Sequence, residues 1–140
     1  MNPGESERRE GDPLPPPDPA AGDAYALFTR GVELLDQRMY AQAALSLEQA
    51  RKLEPGKASI CEALGRAYFH GQRYRAAAEV FNEVVESRPD DDFAQFCLGR
   101  SLEKIGDLTG ARRHMSLAVG MRPARADYRK YLDRIRDDEE

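Results

Sequence analysis

Three evenly spaced prolines in the body of the chain constrain its fold more than any other feature. Pro55, Pro89 and Pro123 lie 34 residues apart, whereas the other six of the nine prolines fall within the first 23 residues. A fixed period of roughly 20 to 50 residues is the signature of a repeat architecture. The period divides the body into three blocks, residues 24–57, 58–91 and 92–125.

The three blocks carry the same residue types at equivalent positions. The eighth residue is always glycine and the twentieth always alanine, while the twenty-fourth is always a large apolar residue. The glycines are Gly31, Gly65 and Gly99, the alanines are Ala43, Ala77 and Ala111, and the large residues are Leu47, Phe81 and Met115. Agreement at this many positions indicates a true internal repeat.

Each block predicts a pair of packed helices. In the second block, apolar residues recur at helical spacing in two stretches separated by Gly71-Gln72-Arg73. We expect Gly71 to supply the left-handed residue that ends the first helix, and Gly106 to mark the same break in the third block. Small residues allow the helices to approach closely, and Pro89 ends the second helix. One such hairpin cannot bury its own apolar face, so neighbouring hairpins must stack.

The pattern Leu64-Gly65-x-x-Tyr68, Ala77-x-x-x-Phe81 and Pro89 resembles the tetratricopeptide repeat (TPR) family. The resemblance implies an all-α solenoid of helical hairpins, with seven helices in a right-handed superhelix. It places a TPR domain at residues 23–137, comprising the three repeats and a capping helix at 125–136. The first repeat departs from the pattern because Arg30 stands where the others have leucine.

The predicted capping helix repeats only half of the hairpin pattern. Tyr128, Leu132 and Ile135 keep the spacing of the core residues of a first helix. Asp133 takes the position of the repeat glycine, so no further helix is expected to pack closely there. The remaining face is rich in arginine and lysine, which indicates a solvated surface that closes the stack.

The first 22 residues differ in composition from the repeats. They contain the run Pro13-Leu14-Pro15-Pro16-Pro17 and one large apolar residue after Met1. Such a stretch cannot bury enough surface to offset its chain entropy, so we expect a disordered acidic tail with local polyproline structure. Three roles stay open: a solubilising tail, a ligand for a proline-recognition domain, and an autoregulatory segment lying over Arg66 and Arg100.

Charge and hydropathy exclude several classes of protein. The 25 acidic and 21 basic residues give a net charge of −4, and the first 23 residues account for all of it. A neutral body disfavours nucleic-acid binding. No apolar run reaches the ~18 residues of a membrane span, and no signal peptide is recognisable. We therefore expect no membrane association and a cytoplasmic location. The Arg to Lys ratio of 17 to 4 is read as the codon bias of a GC-rich, bacterial genome.

The sequence offers little support for catalysis, metal binding or a cofactor. Cys61 and Cys97 are 36 residues apart, which favours buried thiols in a reducing compartment over a disulfide framework. No Cys or His residues have the spacing of a zinc site. A nucleophilic pair of Cys97 and His70 would have no orienting group and no oxyanion donors. We expect a protein without enzymatic activity and without cofactors.

The first helices of successive repeats are predicted to leave one face for a partner. Positions 2, 5, 9, 12 and 13 of each block lie away from the packed face, and they include most of the phenylalanines. The candidate peptide-binding groove consists of Tyr25, Phe28, Val32, Glu62, Arg66, Phe69, His70, Phe93, Phe96 and Arg100. Exposed aromatic residues with arginine are typical of protein interaction sites. The apolar side chains of a partner peptide would contact the rings, and an acidic group would contact the two arginines.

Alternative interpretations of this face remain. Glu62 and Arg66 are spaced to pair with each other on one helix, and some of the rings could belong to the core between repeats. The face could also mediate self-association, or shield an apolar partner segment as a chaperone does. Some TPR domains grip a C-terminal carboxylate of heat-shock chaperones with Lys, Asn and Arg. The matching positions here are Phe28, Val32, Ala63, Phe93 and Cys97, so that activity is not expected.

Overall fold

Seven helices form the part of the chain that the computed structural model describes, which is residues 19–139, with side chains for 22–136. The helices are α1 (Pro19–Asp36), α2 (Tyr40–Leu53), α3 (Ala58–His70), α4 (Tyr74–Ser87), α5 (Asp92–Lys104), α6 (Leu108–Met121) and α7 (Ala126–Glu139). Each odd-numbered helix pairs with the next one, and α7 packs on α6. The seven-helix, all-α solenoid predicted from the repeat is confirmed.

Two predicted boundaries differ from the structure. Helix α1 begins at Pro19, so residues 19–22 belong to a helix and not to the predicted tail. Proline suits the first turn of a helix, where its missing N–H has no partner to lose. The remainder of the predicted tail lies outside the described residues. Helix α7 runs from Ala126 to Glu139, so it starts one residue later and ends three residues later than predicted.

The turn inside each hairpin has the same backbone geometry. Its left-handed residue is Arg38, Gln72 or Gly106, with φ of 63°, 67° and 91°. The next residue donates its N–H to a carbonyl five positions back, at 2.9 Å from Met39 to Leu34 and 2.8 Å from Arg73 to Tyr68. This is the hydrogen-bond pattern of a Schellman motif. The prediction that Gly71 is the left-handed residue is wrong, because Gly71 has φ of −82°.

The repeat prolines set the turns between hairpins. Pro55, Pro89 and Pro123 each follow the last residue that caps the preceding helix. That residue lies outside the helical region in all three cases, with φ and ψ of −133° and 78° at Glu54, −137° and 76° at Arg88, and −133° and 72° at Arg122. Proline excludes the residue before it from the helical region. The second and third turns share a further hydrogen bond, from the N–H of Asp91 to Arg88 and from that of Arg125 to Arg122, whereas the first turn carries Gly56 with φ of 80°.

A glycine and a large side chain bring the two helices of each hairpin together. A Cβ added at Gly31, Gly65 or Gly99 would lie only 2.4 Å from Leu47, 2.5 Å from Phe81 and 2.6 Å from Met115. The three large residues are almost completely buried. The eighth and twenty-fourth positions of each block therefore form one packing unit, as the sequence predicts.

Positions 3, 7 and 10 of each block face the preceding repeat. They are buried in α3, α5 and α7, where they are Ile60, Leu64, Ala67, Ala94, Leu98, Ser101, Tyr128, Leu132 and Ile135. In α1 the same positions hold Ala26, Arg30 and Glu33, which are exposed. The first repeat thus presents a polar face where the others present an apolar one, as terminal repeats of solenoids do.

The described residues contain no helix with the length and hydropathy needed to cross a membrane.

Candidate functional site

The inner faces of α3, α5 and α7 enclose a cleft of about 220 Å³, which we call the central cleft. Six of the ten predicted groove residues line it: Arg66, Phe69, His70, Phe93, Phe96 and Arg100. Phe81, Cys97 and Tyr131 complete its wall. The spacing of the first helices in sequence therefore brings these side chains together at one place in the fold.

The phenylalanine rings of the central cleft differ in how much of their surface other side chains cover. Phe93 is 37% exposed. Phe96 is half-buried and stacks on Tyr128 with ring centroids 4.6 Å apart, and it meets Tyr131 edge-on at 5.5 Å. Phe69 is half-buried beside the core and contacts the ring of Tyr74. Phe93 is thus the most accessible ring of the cleft, while Phe69 and Phe96 form its floor.

Arg100 is held by other side chains of the protein. Its guanidinium lies over the rings of Phe69 and Tyr131, at 5.4 Å and 4.3 Å from their centroids. Its Nη1 donates to Glu103 Oε1 at 2.8 Å, and Glu103 also pairs with Arg134 of α7 at 2.9 Å. Arg100 therefore ties α3, α5 and α7 together by cation–π contacts and an ion pair.

Arg66, unlike Arg100, is not held in place by other side chains of the described residues. Its side chain is exposed at the rim of the central cleft. Within residues 22–136, no hydrogen bond or ion pair engages its guanidinium. Arg66 is thus an exposed arginine among the residues that line the central cleft.

Glu62, four residues before Arg66 on α3, is directed toward the turn before α5. Burial and a hydrogen bond with the Asp91 carboxyl raise its pKa to about 7, against the opposing effect of Arg88 and Arg66. Asp91 also accepts a hydrogen bond from the N–H of Ala94 and caps α5. The ion pairs of the described side chains do not join Glu62 to Arg66, which differs from the pairing considered in the sequence analysis.

Three predicted groove residues lie nearer the start of the solenoid. Tyr25 and Phe28 line a second cleft of about 230 Å³, which we call the N-terminal cleft. It lies between the second and third turns of α1 and the first turn of α3 and is completed by Ala24, Glu54, Lys57, Ser59 and Ile60. Val32 packs against the hydrophobic core. Eight of the ten predicted groove residues therefore line one or other of the two clefts, and Val32 and Glu62 line neither.

The chemistry of the central cleft disfavours a nucleophile. Cys97 and His70 both line it, but burial raises the pKa of the Cys97 thiol far above its ordinary value. Burial and Arg66 lower the pKa of His70, whose ring stacks on Tyr40 at 5.4 Å. A buried neutral thiol is a poor nucleophile. No group of three His, Cys, Asp or Glu residues within the described part of the chain is arranged to hold a metal ion.

A scan against family models decides the family. The tetratricopeptide repeat model matches residues 28–92 and 63–126, two overlapping segments that together cover most of the chain. The chain belongs to the tetratricopeptide repeat (TPR) family. No curated protein matches it.

Solved structures of TPR domains share this fold. The first TPR domain of Spaghetti (RPAP3), bound to an HSP90 peptide, superposes with a TM-score of 0.80 at 17% identity, over 84% of this chain and 94% of that one. MamA from Desulfovibrio magneticus RS-1 gives 0.81 at 23% identity, over 84% of this chain and 66% of that one. The Arabidopsis OM64 TPR domain gives 0.80 at 13%, over 85% and 98%. At these sequence identities the similarity shows a shared fold and nothing more.

Besides Phe81 of α4, sequence reasoning missed Cys97 and Tyr131 as residues of the central cleft. Both occupy the sixth position of their TPR block when α7 is read as the start of a fourth repeat. The remaining face of α7 is predicted to be a solvated surface, but Tyr131 lines the cleft there and Arg134 pairs with Glu103 of α5. Extending the repeat numbering into α7 would have placed Tyr131 beside Phe96 and Arg100.

Proposed function

We propose that this TPR protein is a non-enzymatic scaffold that binds a peptide segment of a partner protein in its central cleft. The bound segment carries a large apolar side chain next to a carboxylate. Phe93 and Phe96 receive the apolar side chain, and Arg66 binds the carboxylate. The observation that carries the proposal is an exposed, unengaged guanidinium beside an accessible aromatic cleft. Aromatic residues and arginine are the side chains that dominate binding energy at protein interfaces.

Arg66 and Arg100 have different roles in this proposal. Arg100 already has a carboxylate partner in Glu103 and two aromatic rings around it. A ligand carboxylate at Arg100 would have to compete with the ion pair to Glu103, whereas Arg66 forms no ion pair within the described residues and interacts only electrostatically with the Glu62 carboxyl. Arg100 is therefore a positioning residue that fixes the rings of Phe69 and Tyr131, and Arg66 is the anion-binding residue.

The HSP90 peptide bound by the RPAP3 domain suggests that a peptide can occupy this fold. This chain has Phe28, Val32, Ala63, Phe93 and Cys97 at the positions where carboxylate-gripping TPR domains have polar and basic residues. We therefore propose an internal acidic and apolar segment as the ligand, and not a chaperone C-terminus.

Stacking end to end is disfavoured as an alternative. Arg30 and Glu33 make the free face of α1 polar, and Asp133 and Arg136 do the same for α7. Burying these charges against another copy would cost free energy with no apolar contact in return. We propose that the protein acts as a monomeric binding module.

Peptide display followed by calorimetry tests the proposal. Peptides selected on the wild-type protein should combine an acidic and a large apolar residue. Arg66→Ala should weaken binding of a selected peptide by ~10-fold or more, because a charge-assisted hydrogen bond is lost. Arg75→Ala, which removes an exposed arginine from the outer helix α4, should leave the affinity unchanged.

Phe93→Ala and Leu117→Ala form a second matched pair. Phe93 is 37% and Leu117 45% exposed, but Leu117 lies on α6, away from the cleft. Only Phe93→Ala should reduce the affinity. Equal losses for Arg66→Ala and Arg75→Ala, or for the two apolar substitutions, would show that peptides bind elsewhere.

A further inference from the structure

The N-terminal cleft is a second aromatic surface, and the proposed peptide binding in the central cleft does not involve it. Tyr25 is 71% exposed, the largest exposure among the large hydrophobic residues of the described chain. Below it lie Phe28, which is half-buried, and the buried Ala24 and Ile60. The rim carries Lys57 and Glu54, which pair with each other at 3.9 Å. The cleft therefore offers an apolar, ring-lined surface with little net charge.

The chain itself carries a segment whose chemistry matches this surface. Residues 13–17 read Pro13-Leu14-Pro15-Pro16-Pro17, which we call the proline-rich run. Proline-rich segments favour the extended polyproline helix, lose little entropy on binding, and dock against aromatic side chains. An uncharged run suits a cleft whose only two charges already neutralise each other.

The run is joined to α1 through Asp18, a short distance along the chain from the cleft. Helix α1 starts at Pro19, five residues before Ala24, which corresponds to a rise of about 8 Å. Five residues of extended polyproline span about 15 Å. A chain that turns back at the start of α1 can therefore lay the run across Tyr25 and Phe28.

We propose that the proline-rich run docks in the N-terminal cleft of its own chain, with Tyr25 packing against the proline rings and Leu14 entering toward Ile60. Docking covers the exposed ring of Tyr25 and completes the first repeat, which has no preceding hairpin in the described chain. The N-terminal segment is thereby held at one end of the solenoid, away from Arg66.

Isoleucine methyl NMR of the full chain provides the test. The protein has three isoleucines: Ile60 in the N-terminal cleft, Ile105 in the turn after α5, and Ile135 in α7. Replacing residues 13–17 with Ser-Gly-Ser-Gly-Ser should shift the Ile60 methyl signal by more than its linewidth. The Ile105 and Ile135 signals should stay in place, which also shows that the fold is intact.

Two controls make the result specific. Placing the same five residues at positions 3–7 should leave all three signals unchanged. In a Tyr25→Ala background, replacing the run should shift Ile60 much less than in the wild type. If replacing the run leaves the Ile60 methyl signal unchanged, the proposal is overturned. A shift that grows with protein concentration would also overturn it, because it would identify the run of a second copy as the occupant.

Discussion

Single residues decide how closely the two helices of each hairpin approach. The absence of a Cβ at Gly65 allows the ring of Phe81 to lie directly against the backbone of α3. Gly120 in α6 has nothing within 4 Å of where its Cβ would be. The chain thus contains helical glycines that packing requires and at least one that it does not.

Gly65→Ala should lower the free energy of unfolding by about 2 kcal/mol, because the new Cβ overlaps the buried ring of Phe81. Gly120→Ala should raise it by about 0.5–1 kcal/mol, since alanine loses less conformational entropy in a helix. Urea denaturation monitored by circular dichroism measures both. A loss of stability at Gly120 would contradict the packing described for α6.

The left-handed turns give a second test at the residue scale. Gln72 has φ of 67°, whereas the equivalent residue of the third repeat is Gly106. Gln72→Gly should stabilise the protein by about 0.5–1 kcal/mol, because relief of backbone strain exceeds the added entropy of the unfolded chain. The reverse change, Gly106→Gln, should destabilise it by a similar amount. Chemical denaturation of both variants would show opposite signs if the turns are equivalent.

At the scale of the helices, side-chain hydrogen bonds near the start of α5 join it to neighbouring helices. Glu62 of α3 meets Asp91 at the start of α5, and Tyr128 of α7 donates to Asp92 at 2.7 Å. On α5 and α6, buried Gln95 accepts a hydrogen bond from His114 at 2.8 Å and donates to the carbonyl of Pro89 at 2.9 Å. These acidic and polar groups near the start of α5 thus connect it to α3, α6 and α7.

The Glu62 contact makes stability depend on pH. Its pKa is raised from 4.5 to about 7, so between these values the folded state holds a proton that the unfolded chain has lost. Its stabilising contribution is therefore present below pH 4.5 and is lost as the pH rises to 7. Glu62→Gln should remove this dependence and raise the free energy of unfolding at pH 8 by about 1 kcal/mol, allowing for solvent screening.

Comparing Glu62→Gln with wild type separates the pH dependence of stability that is due to Glu62 from that due to His114. Burial lowers the pKa of His114 below 6.5, so protonation of this histidine destabilises the fold as the pH falls. Both proteins contain His114, so the difference between their unfolding curves from pH 4 to 8 reports the coupled Glu62–Asp91 pair. A difference that is constant across that range would contradict the shared-proton contact with Asp91.

At the scale of the whole molecule, the charged face at the start of the solenoid opposes the stacking of a second copy on it. Positions 7 and 10 hold Leu64 and Ala67 in the second repeat but Arg30 and Glu33 in the first. Arg30 and Glu33 are exposed on the free face of α1. The charges on this face oppose the addition of a second copy to the start of the solenoid.

Restoring the repeat pattern should therefore cause association. Arg30→Leu with Glu33→Ala creates an apolar face on α1, and light scattering should show oligomers that increase with concentration. Arg75→Leu with Glu79→Ala removes the same charges from the outer surface of α4 and should leave the mass measured by light scattering at the wild-type value. Association of both variants alike would indicate general loss of solubility.

The order of the helices and their pairing could be predicted from the sequence because each repeat position has one local role. Gly65 and Phe81 mark the close approach, Pro89 ends a hairpin, and Tyr128 continues the pattern into α7. The position of the left-handed residue was mispredicted because glycine at 71 suggested a role that the chain geometry gives to Gln72. The turn is set by its hydrogen bonds and tolerates a residue that is not glycine.

The sequence by itself determined that the inner face carries aromatic residues and two arginines, because helical periodicity assigns faces without any knowledge of neighbours. Only the tertiary structure decided which of these side chains remain available. Arg100 meets Glu103, Phe69 and Tyr131, which come from three helices, so its engagement depends on how repeats stack. Periodicity describes one helix at a time, whereas the availability of a charge depends on every helix packed around it.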